Sequence, residues 1–166
     1  MPEFDLVVTN LRLADGRAGR HLAIAGRRIA AIGDGPPPQA AQVLDGEGDL
    51  ALPALVDGHV HLDKSLFGLP WQPHAAGPTR LSRIETDARV LPHLPLSTAG
   101  RAAALIRRCV AHGTAHLRSH ADVTPAFGLS ALEGTLAAKQ AHAHLCTVQT
   151  VAFPQAGVMR APGTLR

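Results

Sequence analysis

The stretch PALVDGHVHLD, residues 53–63, decides how this chain is read, because an apolar run there ends abruptly in ionisable residues. A strand buried on both faces of a parallel sheet has that pattern where it emerges at its C-terminal end, so a parallel strand is expected near residues 54–60. His59 and His61 are two apart. Alternate side chains of an extended strand share a face, so the two imidazoles can chelate one cation from the strand end. Neutral imidazole suits zinc, iron and similar ions. Ordinary strand-end histidines show the same spacing, and with 10 histidines in the chain both readings stand at this point.

Downstream, residues 63–95 hold five prolines and mixed polarity, and only Leu81 to Leu91 reads as helical, with Leu81, Ile84, Ala88 and Leu91 on one face. A connection of that length is often functional. Ser97 or Thr98 can cap a second helix in which Ala102, Leu105, Ile106, Cys109 and Val110 recur at helical spacing, and Gly113 can close it. A strand over 114–119 then leads into Ser119, His120, Ala121 and Asp122. After a turn at Pro125 to Gly128, a third helical pattern runs through Leu132, Leu136 and Lys139, and a last strand over 145–153 ends at Pro154 and Gln155. Strands alternating with helices at this spacing predict parallel βα units, in a barrel or an open sheet. Three strands cannot close a barrel, which takes eight strands and typically about 250 residues.

Upstream, residues 5–34 alternate short apolar runs with turn signals, including a tight turn at Gly26-Arg27, and predict a small antiparallel meander. The connector GDGPPPQAA, residues 33–41, precedes two further short extended pieces. The expected organisation is an antiparallel β-sheet module over residues 1–52 followed by a second domain over 53–166.

The formal charge is +3, but the 16 Lys and Arg are scattered, with adjacent pairs only at Arg27-Arg28 and Arg107-Arg108, and aromatics make up 3% of the chain. A nucleic-acid face needs clustered cations interleaved with stacking rings, so no nucleic-acid partner is expected. Cys109 and Cys146 lie in apolar stretches read as a helix and a strand, without the close pairing of metal or disulfide frameworks, and are expected to be buried thiols. MPEFDLVVTN has neither a basic start nor a long apolar run, so no signal peptide or membrane segment is expected and the location is cytoplasmic.

His120 and Asp122, two apart at the end of the second strand, can orient a ligand or a lid, or can form a structural hydrogen-bonded pair. For Lys64 the expectation is a salt bridge. His74, His93, His112, His116, His142 and His144 lack comparable context and are assigned no role; the last two are placed on a helix.

PALVDGHVHLDKSL resembles the first-strand motif of the amidohydrolase superfamily, and its Leu-Asp-Lys extension resembles the cytosine deaminase branch. HLRSHADVTPAFGLSALEGTLAAKQ, residues 116–140, and VQTVAFPQAG, residues 148–157, extend the resemblance in the family's order. Ala54 and Ala156 depart from the family pattern, which has Gly and often Glu there; neither removes a ligand. The resemblance implies an α/β fold, namely the first three βα units of a TIM-type (β/α) barrel over 53–166, preceded by the β-sheet module. It further implies one divalent metal ion, zinc or iron, on His59 and His61. Gln155 would hydrogen-bond the amide edge of a small-molecule substrate, although a strand-end glutamine can also cap a neighbouring loop. Hydrolysis of a non-peptide C–N bond follows from the same likeness, as in deamination of a cytosine-like heterocycle. The remaining metal ligands and the proton shuttle are expected beyond Arg166, so no catalytic residue is assigned here, and a homo-oligomer is an expectation for the full-length parent. The alternative is a catalytically incomplete remnant that binds metal or has no activity by itself.

Overall fold

A computed structural model describes residues 3–73 and 75–164; His74, assigned no role above, lies outside the described residues. Among the described residues the architecture is mixed α/β, with two sheets and three α-helices, and the chain separates into two compact units, Met1–Pro53 and Ala54–Arg166.

The first unit is a five-stranded sheet formed by β1 (Phe4–Leu13), β2 (Arg20–Ala25), β3 (Arg28–Gly33), β4 (Ala40–Asp45) and β5 (Leu50–Ala51). The β2–β3 hairpin turns on Gly26 and Arg27 at φ of 55° and 69°, the left-handed pair that a two-residue type I′ loop needs. The Gly26 N–H donates to the Asp5 carboxylate at 2.7 Å, which ties that turn to β1. Val7, Leu11, Ala23 and His21 are buried. β1 and β2 pair antiparallel, as do β2 and β3, but β4 and β5 both run parallel to β1. The sheet is therefore mixed, and the expectation of an antiparallel module is corrected. Pro36 to Pro38 cannot form a tight hairpin, so the chain after β3 runs on to the free edge of β1 instead of folding back on its neighbour.

In the second unit, β6 (Leu55–Val60), β7 (Thr114–Asp122) and β8 (Thr147–Phe153) form a parallel sheet in that order. Between them lie α1 (Arg80–Val90), a short 3-10 turn at Leu91–His93, α2 (Thr98–Ala111) and α3 (Ser130–Ala141). The Ser97 hydroxyl caps α2 by accepting from the Gly100 N–H, and Gly113 at φ 87° reverses the chain into β7. Leu62, Ala102, Ile106, Leu117, Ala138, Cys146 and Val148 form the core, against which Val60, Leu105, Cys109 and Val110 pack.

Three local expectations change. β6 is an edge strand, and Leu55 and Val56 are 56% and 67% exposed rather than buried, because among the described residues β6 pairs only with β7. The buried face of α3 is Ala131, Thr135 and Ala138, while Leu136 faces solvent. Close helix contact explains that choice: a Cβ on Gly134 would lie 2.7 Å from the Thr98 Cβ on α2, so only small residues fit the seam. Finally, α3 ends at Ala141, so His142 is its C-cap and His144 lies in the turn beyond.

The long connection after β6 carries Trp71, the single tryptophan, which is 86% exposed. Among the described residues no helix is long and apolar enough to cross a membrane.

Candidate metal and substrate site

The C-terminal ends of β6, β7 and β8 bring the singled-out residues to one edge. His59 is the penultimate residue of β6 and His61 follows the strand, with their Nε2 atoms 3.4 Å apart. Their rings meet edge to face, with centroids 5.2 Å apart at 68°. His120, near the end of β7, stacks on His59 at 4.2 Å and 20°, and the Phe153 ring at the end of β8 closes edge-on against His120 at 5.9 Å.

The His61 Nδ1–H donates to the His120 carbonyl at 2.8 Å. A carbonyl can only accept, so the proton of the neutral ring sits on Nδ1 and Nε2 keeps its lone pair for a ligand. Two Nε2 atoms each about 2.1 Å from a tetrahedral zinc lie about 3.4 Å apart, so the pair has the bite of a divalent ion. Among the described residues no group of three or more His, Cys, Asp or Glu is arranged to hold a metal. The two imidazoles thus fit part of a coordination sphere. The His120 imidazole is held below the ordinary histidine range by desolvation and by the two neighbouring rings.

Beneath the histidines lies a buried polar layer. Asp63 is 3% exposed and accepts the Asp122 N–H at 3.0 Å, which bridges the ends of β6 and β7. Its other oxygen lies 3.9 Å from the His61 Nδ1 and has no hydrogen-bond partner among the described residues. Burial pushes this carboxyl above the usual range, although the Asp122 N–H pulls the other way. Asp122 does not face the histidines as a free orienting group. One of its oxygens accepts from the N–H and hydroxyl of Thr124, at 3.0 and 2.8 Å, and the other accepts from Lys64 at 3.1 Å. Lys64 also reaches Asp87 at 3.5 Å, so it is salt-bridged as expected. Gln155 follows β8 and lines an open cleft with His61 and Lys64, its Oε1 buried without a partner among the described residues.

Two supporting residues carried little signal in the sequence. Arg101 on α2 is 2% exposed and donates to the carbonyls of Asp63 at 3.0 Å and Ser65 at 2.9 Å, which pins the segment that follows the histidines. Its place beside Ala102 and Leu105 put a cation on an apolar stripe, the one local hint. The Ser119 hydroxyl accepts the Leu62 N–H at 3.3 Å. For Asp63 a signal was present, since it continues the two-residue spacing of His59 and His61.

The other histidines are elsewhere. His116 pairs with Thr147 near the N-terminal ends of β7 and β8, and His142 binds the Ala138 carbonyl and Arg107. Cys146 is buried and Cys109 is partly so.

No family model matches the sequence. N-isopropylammelide isopropyl amidohydrolase of Pseudomonas sp. (strain ADP) is 31% identical over 171 residues, a match that covers 93% of this chain and 40% of that protein. The crystal structure of N-isopropylammelide isopropylaminohydrolase from Burkholderia multivorans ATCC 17616 superposes with a TM-score of 0.85 at 34% identity, over 97% of this chain and 40% of that one. The chain belongs to the amidohydrolase superfamily. A further amidohydrolase neighbour is 5-methylcytosine deaminase from Klebsiella pneumoniae, solved with phosphonocytosine, at TM-score 0.76 and 32% identity over 95% of this chain and 39% of that one. These relatives are hydrolases of C–N bonds. This amidohydrolase chain spans about 40% of the length of each.

Proposed function

We propose that Ala54–Arg166 forms the first three βα units of a (β/α) barrel, and that the parent enzyme hydrolyses a non-peptide C–N bond of a cytosine-like or related heterocyclic amine. The observation that carries this is the 3.4 Å approach of the His59 and His61 Nε2 atoms, with the His61 proton held on Nδ1 by the His120 carbonyl. Barrel enzymes place their chemistry at the C-terminal ends of the strands, which is where the cluster lies.

In this reading His59 and His61 hold one divalent ion, zinc or iron, as neutral imidazoles. A divalent ion seated there supplies Lewis acidity that makes water acidic enough to attack near neutral pH. Gln155 orients the substrate, its carboxamide offering an acceptor and two donors to a ring edge. His120 fixes the His61 tautomer through its carbonyl and buttresses the His59 ring by stacking. Asp122 acts at one remove, by holding Lys64 and the loop at Thr124. Metal binding without turnover is the second reading. It is favoured by the count of two ligands, one fewer than the three protein ligands a catalytic zinc usually takes.

Elemental analysis with light scattering on the purified 166-residue chain and on His59→Ala/His61→Ala tests the proposal. Stoichiometric metal in a monodisperse wild type, absent from the double variant, is the expected result. Equal metal content in the two proteins overturns the site. Turnover of heterocyclic amines by the metal-loaded full-length parent separates the enzyme reading from metal binding alone.

A further inference from the structure

The cleft beside the histidine cluster encloses about 720 Å3, and its walls include His61, Lys64, Arg80, Arg83, Asp87 and Gln155. Its charge is uneven. Asp87 and Asp122 both engage the single ammonium of Lys64, at 3.5 and 3.1 Å. Arg80 and Arg83 sit three residues apart in the first turn of α1 and so share a face. Neither forms an ion pair with a described residue. Among the described residues, two guanidinium groups therefore line one cleft with no carboxylate paired to them, while Gln155 offers it a buried acceptor with no donor. A neutral ring would leave both guanidinium groups without an anion. A carboxylate matches the planar fork of a guanidinium, and two such forks in one wall suit one anionic substituent.

We propose that this cleft takes a planar heterocycle bearing a carboxylate, with Arg80 and Arg83 gripping the carboxylate and the Gln155 Oε1 accepting a ring N–H or amino proton. The inference rests on the reading of the cleft as the substrate side of the metal site, and it narrows the substrate class. Arg80 and Arg83 are both exposed, so replacing them leaves the core untouched.

The test is calorimetric binding of 5-carboxycytosine and of its neutral carboxamide, which has nearly the same shape, to the 166-residue chain supplied with zinc. The carboxylate should bind about tenfold more tightly than the amide, and added salt should erode the difference. Arg80→Gln/Arg83→Gln should abolish the preference, and Arg80→Lys/Arg83→Lys should keep part of it. No preference in the wild type, including no binding of either ring, overturns the proposal, as does a preference that survives in the glutamine variant. Zinc content of the same samples separates the two levels of failure. A chain that takes zinc but ignores the carboxylate refutes this inference and leaves the metal site standing; one that prefers the carboxylate through its arginines yet takes no zinc does the reverse.

Discussion

Two histidine pairs with the same two-residue spacing lie at opposite ends of the βα layers. His59 and His61 stand where β6 ends, with rings edge to face and Nε2 atoms converging at 3.4 Å. His142 and His144 stand where α3 ends and the chain turns towards β8, with rings nearly parallel at 18° and centroids 6.5 Å apart. Both nitrogens of His142 are engaged, one by the Ala138 carbonyl at 2.9 Å and the other by Arg107 at 3.2 Å. The lesson is that spacing alone does not make a chelate. The backbone must be extended so that both rings share a side, and a carbonyl must fix one proton so that the facing nitrogen stays available.

The sharpest way to break this comparison is to remove each pair in turn. His59→Ala/His61→Ala should lose all bound divalent metal by elemental analysis, while His142→Ala/His144→Ala should retain the wild-type content. Loss in both would show that binding follows histidine number rather than geometry. The next largest effect belongs to the apolar layer between the two ends. Ile106 is fully buried, and Ile106→Ala should cost about 3 kcal/mol of unfolding free energy through lost burial and a residual cavity, measured by denaturant titration. Metal bound per folded molecule should not change.

A smaller effect sharpens the role of the buried carboxylate. Asp63→Asn keeps an acceptor for the Asp122 N–H but removes the charge beside the His61 Nδ1. Metal affinity should fall about tenfold in competition with a chelator, at an unchanged melting temperature. A large drop in melting temperature would instead make Asp63 a structural tie alone. The smallest effect lies in the thiols of the core and its margin. Burial raises the pKa of Cys146 and Cys109 above the ordinary thiol value, so each thiolate is less favourable in the folded chain than in the unfolded one. The stability this confers is complete below an ordinary thiol pKa of about 8.5 and is lost as pH rises through the folded value. Denaturant midpoints should therefore fall modestly between about pH 8 and about pH 10, and Cys109→Ala/Cys146→Ala should flatten the slope.

Much of the second unit was legible because its strands alternate with helical patterns, and because the apolar run at the start of β6 gives way to His59, His61 and Asp63 at its C-terminal end. The cap at Ser97 and the stop at Gly113 could also be read, since both are set by neighbours within four residues. What the sequence hid depends on partners far along the chain. Arg101 meets the Asp63 carbonyl across 38 residues and Asp63 meets the Asp122 N–H across 59, and no local period records such pairs. The buried face of α3 was misread because Leu132 and Leu136 outrank alanine in apolarity, whereas the tight seam at Gly134 selects for small size. The parallel pairing of β4 with β1 was equally invisible, since strand direction is set by where a connector lands and not by the strand's composition.

The position of Trp71 decides how any of these experiments can be followed. The chain has no tyrosine, and its one indole is already 86% exposed in the connection after β6. Native emission should therefore be as red-shifted as that of a free peptide, and it should barely move when the βα core comes apart. A fluorimeter would record an almost silent transition, so circular dichroism or calorimetry has to carry the stability measurements. Phe153→Trp would place a reporter ring against His61 and His120, where the indole would sense metal arriving at the histidines.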